Sequence, residues 1–391
     1  MRPLEFGTPV FAEIDPLGSI LAQAFGFPPD DARPWLERAG FENVRVVRDA
    51  SGVVGGLLFY PMGQFFGGRS VPMAGIAGVG TDPAAQGAGT ATWMMRAAVS
   101  ELAGSGFALS CLYPATQPIY RRAGYEQAGL RCRIEARTEH LALGDRFLSL
   151  RRAGPTDLGA IRALQRRIAG GHAGALDRSE LLWRRITEPL IGAKPSGYVV
   201  ERSGELEGYC FAAKRGSPGD RQELVVSDLA AATPQAATRL LTFLGDHRSL
   251  IERTIWHGGP ADPLLLLVRE QRYVLTVEEA WMLRILDVER ALEARGFPPG
   301  LSARLEFEVF DEVLAGNRGN WILEIHGGEG RVSRGGGGAI KAHVRGLAPL
   351  YSGHLSAQAL ALTGLVEGDA AALQLATAIF AGPQPAMSDF F

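Results

Sequence analysis

The sequence predicts a mixed α/β protein of three successive segments, and three observations carry that prediction. The chain has 391 residues, whereas single domains cluster at about 100–200. Residues 53–137 read as strand, strand, helix, strand, helix, strand, and the same coarse order returns within 146–285. Beyond residue 300 the pattern changes to strands with strict period-two alternation.

The first segment, 1–145, opens with two helical stretches. One follows Pro16, over Leu17 to Phe25; the next is opened by Asp30 and Asp31, whose charges suit a helix start, and holds Trp35 and Leu36. Val44 to Arg48 reads as a strand. Val53 to Tyr60 and Val71 to Thr81 are apolar runs separated by Gly67-Gly68, the signature of a hairpin turn. Over 90–104 the period becomes helical, with Trp93, Met94, Ala97, Ala98 and Leu102 on one face. Phe107 to Leu112 is a strand ended by Pro114, 116–122 a short helix stopped by Gly124, and strand follows to about 137.

The second segment, 146–285, has a helix over Pro155 to Ala169, a hairpin around Ser203-Gly204, a strand over Leu224 to Leu229, a helix over 234–245 and a strand over Thr254 to His257. A duplicated domain is the expectation. The third segment, 286–391, has the break Gly296-Phe297-Pro298-Pro299-Gly300 near its start. Three alternating strands follow, carrying Leu305, Phe307 and Val309, then Trp321, Leu323 and Ile325, then Ile340, Ala342 and Val344. Such strands form a sheet with one wet face and one covered by the later helices. Gly335 to Gly338 reads as a hairpin loop, since no Lys-Ser/Thr follows to make it a phosphate loop.

Composition narrows the function. Hydrophobic residues at 46% and charged residues at 21% exclude a disordered chain. Forty Lys+Arg against 42 Asp+Glu leave no basic excess, which argues against a nucleic-acid partner. All but three of the basic residues are arginine, a skew expected of a GC-rich genome. Cys111, Cys132 and Cys210 have neither disulfide-framework nor metal-ligand spacing, so a reduced, cytoplasmic setting is expected. The first fifteen residues carry Glu5, Glu13 and Asp15 in place of a basic-then-apolar leader. The longest apolar run, Leu264 to Val268, has the length of a strand, far short of the roughly 18–20 residues of a membrane span. The dispersed histidines suggest no metal site, and Ser110 lies in Leu-Ser-Cys, outside the G-x-S-x-G context of a hydrolase serine.

Three features point to chemistry. The stretch from Val79 to Ala91 joins a strand to an amphipathic helix through Gln86-Gly87-Ala88-Gly89. Glycines let a ligand approach the backbone, and amides at a helix start are unpaired donors, so the stretch suits a pyrophosphate; a plain strand-to-helix turn is the alternative. Next comes Ile119-Tyr120-Arg121-Arg122-Ala123-Gly124-Tyr125. A phenol there can return a proton to a thiolate, or Tyr120 is a core tyrosine closing a short helix. Third, the chain ends in Asp389-Phe390-Phe391, where tails are usually polar. Terminal aromatics either dock the α-carboxylate in a partly dry place, raising its pKa, or merely plug a groove.

Taken in this order, these pieces resemble the enhanced intracellular survival (Eis) family of bacterial N-acetyltransferases, over the whole chain. The spacing Gln86-x-x-Gly89-x-Ala91 fits the acetyl-CoA loop of the GNAT acyltransferases. The resemblance implies two tandem GNAT-like mixed-sheet domains, the second without a working cofactor loop, then a sterol-carrier-protein-like α/β domain. It implies acetyl-CoA as acyl donor, held by Val79, Gly80 and Thr81 along the strand, by Gln86, Gly87, Ala88, Gly89, Thr90, Ala91 and Thr92 at the loop and helix start, and by Ala115 and Thr116. It implies Tyr120 as general acid, the carboxylate of Phe391 as base, and a homo-hexamer acting on aminoglycoside-like or lysine-type amines. Phe25, Asp30, Asp31 and Trp35 fall in the region of the family's acceptor pocket. Relatives often carry arginines where this chain has Gln86, Gly87 and Ala88, so weaker grip on the pyrophosphate is expected. A rival from another class is a lipid- or partner-binding protein that uses the sterol-carrier-like domain alone.

Overall fold

Apolar runs joined by tight glycine turns build the first sheet. The computed structural model describes residues 3–85, 87, 89–190, 192–217 and 222–391. In it β1 (Glu5–Gly7), β2 (Val44–Asp49), β3 (Gly52–Phe66), β4 (Arg69–Thr81) and β5 (Leu109–Leu112) lie side by side in that order. Neighbours are antiparallel except β4 and β5, which are parallel. Gly67 and Gly68 make the β3–β4 turn. Helices α1 (Ile14–Phe25) and α2 (Ala32–Ala39) precede β2, α3 (Thr90–Gly104) crosses from β4 to β5, and α4 (Gln117–Arg121) follows β5. The buried face of α3 is Met94, Met95, Ala98, Val99 and Leu102, packed with Leu57, Phe59, Ile76 and Leu112. Trp93 and Ala97, expected on that face, are only half-buried; Met95 and Val99 take their place at the centre.

The order then recurs. Strands β6 (Glu126–Arg137), β7 (Ser149–Arg152), β8 (Leu176–Asp177), β9 (Ser196–Arg202), β10 (Glu205–Arg215), β11 (Gln222–Ala231) and β12 (Ile251–Gly258) alternate with α5 (Leu158–Ala169), α6 (Glu180–Thr187) and α7 (Pro234–Gly245). Antiparallel β10 and β11, the crossover α7 and parallel β12 repeat the plan of β3, β4, α3 and β5. Leu264 to Val268 is no strand: Pro263–Leu267 form a 3-10 turn started by proline and capped by the Asp262 side chain on the Leu264 amide. The last strand of this region, β13 (Tyr273–Ile285), lays Met282 to Ile285 antiparallel to β5.

The C-terminal part holds α8 (Val288–Ala294), β14 (Ala303–Phe310), β15 (Gly319–His326), β16 (Glu329–Arg334), β17 (Ile340–His343), α9 (Val344–Ser352), α10 (Ala357–Leu362), β18 (Val366–Gly368) and α11 (Ala370–Phe380). Its sheet runs β16-β15-β14-β17-β18. Leu305, Phe307, Val309, Trp321, Leu323 and Ile325 all point to the buried face, as their alternation requires. Two expectations fail here. Gly335 to Gly338 make a crossover, not a hairpin, because β17 lies parallel to β14 and not beside β16. The third strand stops at His343, whose Nδ1 accepts the Arg345 amide at 3.0 Å and starts α9.

The chain forms two compact units: residues 1–129, 280–383 and 391, and residues 130–279 and 384–390. Among the described residues no helix is long and apolar enough to cross a membrane.

Candidate active site

The parallel pair β4–β5 opens into a fork. Pairing runs from Met73↔Leu109 to Ile76↔Leu112 and stops, while β4 continues to Thr81. Residues 77–81 therefore keep β3 on one edge and leave the other without a strand among the described residues. A bulge sharpens the divergence. Gly80 faces Gly56 and Ala77 faces Leu58, so Gly78 and Val79 together stand against Leu57. Gly78 has φ 60°, a left-handed value that a side chain there would strain. The free edge carries backbone groups of Val79, Gly80 and Thr81 that an extended amide-bearing ligand can pair with.

Just beyond β4, the Asp82 amide bonds the Val54 carbonyl at 2.9 Å, and the Asp82 carboxylate accepts the Ala84 amide at 2.8 Å. Gly87 and Gly89 follow with φ 81° and 83°, and α3 begins at Thr90. Gln86 and Ala88 lie outside the described residues. Among the described residues no side chain caps the start of α3, and none has an atom within 4 Å of a Cβ built on Gly87 or Gly89. The first-turn amides, those of Ala91 and Thr92 included, are donors of the kind that suit the phosphates of an acyl-CoA. Ala115 and Thr116, both exposed, lie between β5 and α4. All of these residues stand at or beyond the C-terminal ends of the parallel strands, so the structure gathers the described part of the expected cofactor set at one place.

Tyr120 and Phe391 flank the fork from opposite faces. The Phe391 ring lies over Gly75, where a Cβ would come within 2.6 Å of its Cε2, and packs on Tyr60 and Tyr113 at centroid distances of 6.2 and 5.6 Å. Ile76 points to the other face, where it shares a core cluster with Leu112, Tyr120 and Tyr125. Among the described residues no cation lies within 4 Å of the Phe391 carboxylate, although the residue is only 6% exposed. Burial pushes the Tyr120 phenol up to about 12, so it stays protonated at neutral pH. Tyr125, fully buried, donates to Ser110 Oγ at 2.8 Å, and Ser110 in turn donates to the Ala74 carbonyl at 2.9 Å. Tyr125 and Ser110 are thereby occupied with each other.

Of the expected acceptor residues, Phe25 and Trp35 join this site and Asp30 does not. Phe25 meets Trp35 edge-on at 6.4 Å, and Trp35 Nε1 donates to the Tyr60 hydroxyl at 3.2 Å, which connects both to the ring packed on Phe391. Asp30 is exposed in the 3-10 turn Pro29–Asp31.

The family models agree with this arrangement. An acetyltransferase (GNAT) domain matches residues 12–128, a second such domain matches 174–285, and a sterol carrier protein domain matches 288–388. An uncharacterized N-acetyltransferase of Streptomyces griseus is 30% identical over 361 residues, 83% of each chain. N-acetyltransferase Eis of Mycobacterium tuberculosis is 29% identical over 381 residues, 93% of this chain and 92% of that one. A crystal structure of a GCN5-related N-acetyltransferase from Anabaena variabilis superposes with a TM-score of 0.96 at 35% identity, over 100% of both chains. The chain belongs to the Eis family of GCN5-related N-acetyltransferases.

The acetyltransferase domains imply an acyl-CoA donor. In this acetyltransferase several residues of the site left no mark in the sequence. Tyr60 and Tyr113, which seat Phe391, stand in apolar runs like any core aromatic. Glu126, the carboxylate next to the tyrosine motif, is held by two arginines. Arg121 reaches its Oε1 at 2.8 Å, and Arg345 of α9 reaches its Oε2 at 2.6 Å. Burial alone would raise the Glu126 pKa, but those hydrogen bonds and the Gln127 amide outweigh it and hold the carboxyl low. An acid so paired is a poor proton acceptor, and its role is to tie α4 to α9.

Proposed function

We propose that this chain is a cytoplasmic, acetyl-CoA-dependent amine N-acetyltransferase, assembled as a homo-hexamer, with Tyr120 and the Phe391 carboxylate as its acid and base. The boundaries 1–145, 146–285 and 286–391 belong to the same reading, with the second domain silent. One observation carries it: Phe391 sits over Gly75 at the last paired rungs of β4 and β5, its carboxylate without an ion-pair partner among the described residues.

In this reading Gly87, Gly89 and the first turn of α3 hold the pyrophosphate, and the free edge of β4 pairs with the pantetheine arm. The Phe391 carboxylate takes a proton from the ammonium of the acceptor. The amine nitrogen then bonds to the thioester carbon, gives up its second proton to water and the carbon–sulfur bond breaks, and the Phe391 carboxyl releases the first proton to solvent. Tyr120 hands its proton to the departing sulfur, and its phenol recovers a proton from solvent before the next turnover. A phenol at about 12 gives up its proton to a thiolate only when both share dry surroundings, since desolvation strengthens the thiolate as a base too. Trp35 and Phe25 would face the body of the amine.

Extending the chain by a few residues beyond Phe391 tests the reading. The carboxylate is displaced while both Phe390 and Phe391 remain, so kcat should fall roughly 10²–10⁴-fold with acetyl-CoA affinity unchanged. An N-terminal extension should be harmless. Full kcat in the C-terminally extended protein, measured by thiol release with an amine panel, removes Phe391 from the mechanism.

A further inference from the structure

The residues just before Phe391 are held by a set of contacts that nothing in the sequence pattern announced. Arg178 stands between β8 and α6 with a side chain only 3% exposed. Its Nη1 and Nη2 donate to the two oxygens of Asp228 on β11, at 2.6 and 2.8 Å. Its Nε donates to Asp389, at 2.9 Å from Oδ1 and 3.1 Å from Oδ2. The Trp183 ring closes one side, 4.8 Å from the guanidinium, and the Tyr209 hydroxyl donates to Asp228 at 2.7 Å. Burial alone would lower the Arg178 pKa, but Asp228 and Asp389 outweigh it and hold the guanidinium well above its ordinary value. Arg131 adds to the clamp: its Nε donates to the Ser388 carbonyl at 3.2 Å and its guanidinium lies 5.5 Å from the Phe390 ring centroid. Upstream, Leu130 and Ala386 form a parallel bridge, the Met387 amide bonds the Leu130 carbonyl at 3.1 Å, and the Ala386 amide bonds the Ala173 carbonyl at 2.9 Å.

Residues 385–389 thus carry backbone and side-chain anchors at every step, which is unusual for a chain end. Burying one cation with two carboxylates is expensive, and a pair of apolar residues would serve packing as well. A planar fork that grips two carboxylates in fixed geometry supplies orientation instead. We infer that Arg178 is a positioning residue: by fixing Asp389 against Asp228 it sets where the terminal carboxylate, two residues further along the chain, comes to rest. The inference rests on the terminal carboxylate acting as base, but the clamp itself can be read without turnover.

Two variants test it in the full-length protein. Asp389→Asn leaves Arg178, Asp228 and Tyr209 together and weakens only the hold on the tail. Arg178→Lys keeps the charge and loses the fork. Both should free the tail, so that carboxypeptidase removes Phe391 at least about tenfold faster than from wild type. Both should lower kcat by about 10- to 100-fold while acetyl-CoA affinity and the KM for it stay within about twofold. For Arg178→Gly, added guanidinium ion should restore part of kcat and part of the tail's protection. Wild-type resistance to carboxypeptidase in folded Asp389→Asn and Arg178→Lys would overturn the clamp. A freed tail with unchanged kcat would leave the clamp standing and remove the terminal carboxylate from the chemistry.

Discussion

The starts of α3 and α7 occupy the same position in two copies of one plan, yet they are finished in opposite ways. At α3 the N-cap is Gly89 in the left-handed region, and among the described residues no side chain satisfies the first-turn amides. At α7 the N-cap is Thr233, whose Oγ1 accepts the Ala236 amide at 3.2 Å, and Pro234 at the first helical position removes another amide from consideration. Beside α7, Leu265, Leu267 and Val268 pack onto the cluster of Val226, Leu240 and Trp256. The first copy leaves its first-turn amides without a side-chain partner among the described residues, and the second satisfies one of them from Thr233. Two copies of one topology are thus told apart by a handful of residues at one helix start.

The largest expected effect falls on the open copy. Gly89→Glu puts a side chain on a residue with φ 83° and a negative charge where phosphates should sit. Binding of acetyl-CoA should drop below detection by calorimetry while the thermal transition stays near that of wild type. Undiminished binding would move the donor site elsewhere. Gly87→Arg, in contrast, adds a cation to a loop poor in them and should tighten binding despite the strained backbone.

Next in size is the contrast of two tyrosines five residues apart. Tyr120 has no hydrogen bond from its hydroxyl among the described residues, whereas Tyr125 bonds Ser110 in a fully buried pair. Tyr120→Phe should lower kcat by roughly 10²–10⁴-fold with acetyl-CoA affinity unchanged. Tyr125→Phe should keep kcat and cost about 1–2 kcal/mol of stability through the lost hydrogen bond to Ser110 Oγ. Equal activity of Tyr120→Phe and wild type would make both tyrosines structural.

Much of this was legible because short-range chemistry decides it. Period-two and helical patterns marked β2 to β5, α3, α7 and the strands of the last sheet, and Gly87 and Gly89 announced a loop that only glycine closes. What escaped was set by distant partners. β13 opens on Tyr273-Val274-Leu275-Thr276-Val277, with both valines exposed, breaks at Glu278-Glu279 and closes on an apolar run, so its pattern marks no single buried face, and its pairing with β5 joins residues far apart in sequence. His343 reads as one more alternating strand residue until its ring is seen capping α9. Glu126 carries no local sign that Arg345, 219 residues away, closes on it.

That pairing gives a pH signature of its own. The carboxyl of Glu126 is held below its unfolded value of about 4.3. Its contribution to stability is therefore complete above about pH 4.3 and is lost as pH falls through the folded-state value. Glu126→Gln should cost about 1–3 kcal/mol near neutrality, and the gap to wild type should narrow as pH is lowered toward about 3. Activity should persist within about threefold, because the carboxylate is already engaged by two arginines. A gap in stability that stays constant with pH would mean that Arg121 and Arg345 hold the protonated carboxyl as well as the carboxylate. Loss of turnover without loss of stability would restore Glu126 as a base.

The smallest effect tests the closed copy. Thr233→Gly removes the side-chain cap from α7 and leaves the Ala236 amide without its Oγ1 partner, at a cost of only a few tenths of a kcal/mol since glycine is itself tolerated as an N-cap. Thr233→Ala should cost more, about 1 kcal/mol, read as a lower midpoint in urea. If the cap alone silences the second copy, the glycine variant should acquire a second acetyl-CoA site, and calorimetry would report two per chain. Uncapping still leaves Pro234 without an amide and the Leu265–Val268 segment packed beside the helix. It also supplies no counterpart to the left-handed pair Gly87 and Gly89 that, in the proposed reading, would let a phosphate reach the helix start. One site per chain is therefore the expected stoichiometry in both variants. A count of two would mean that a single threonine, and not the filled space around α7, decides whether the second copy can bind acetyl-CoA.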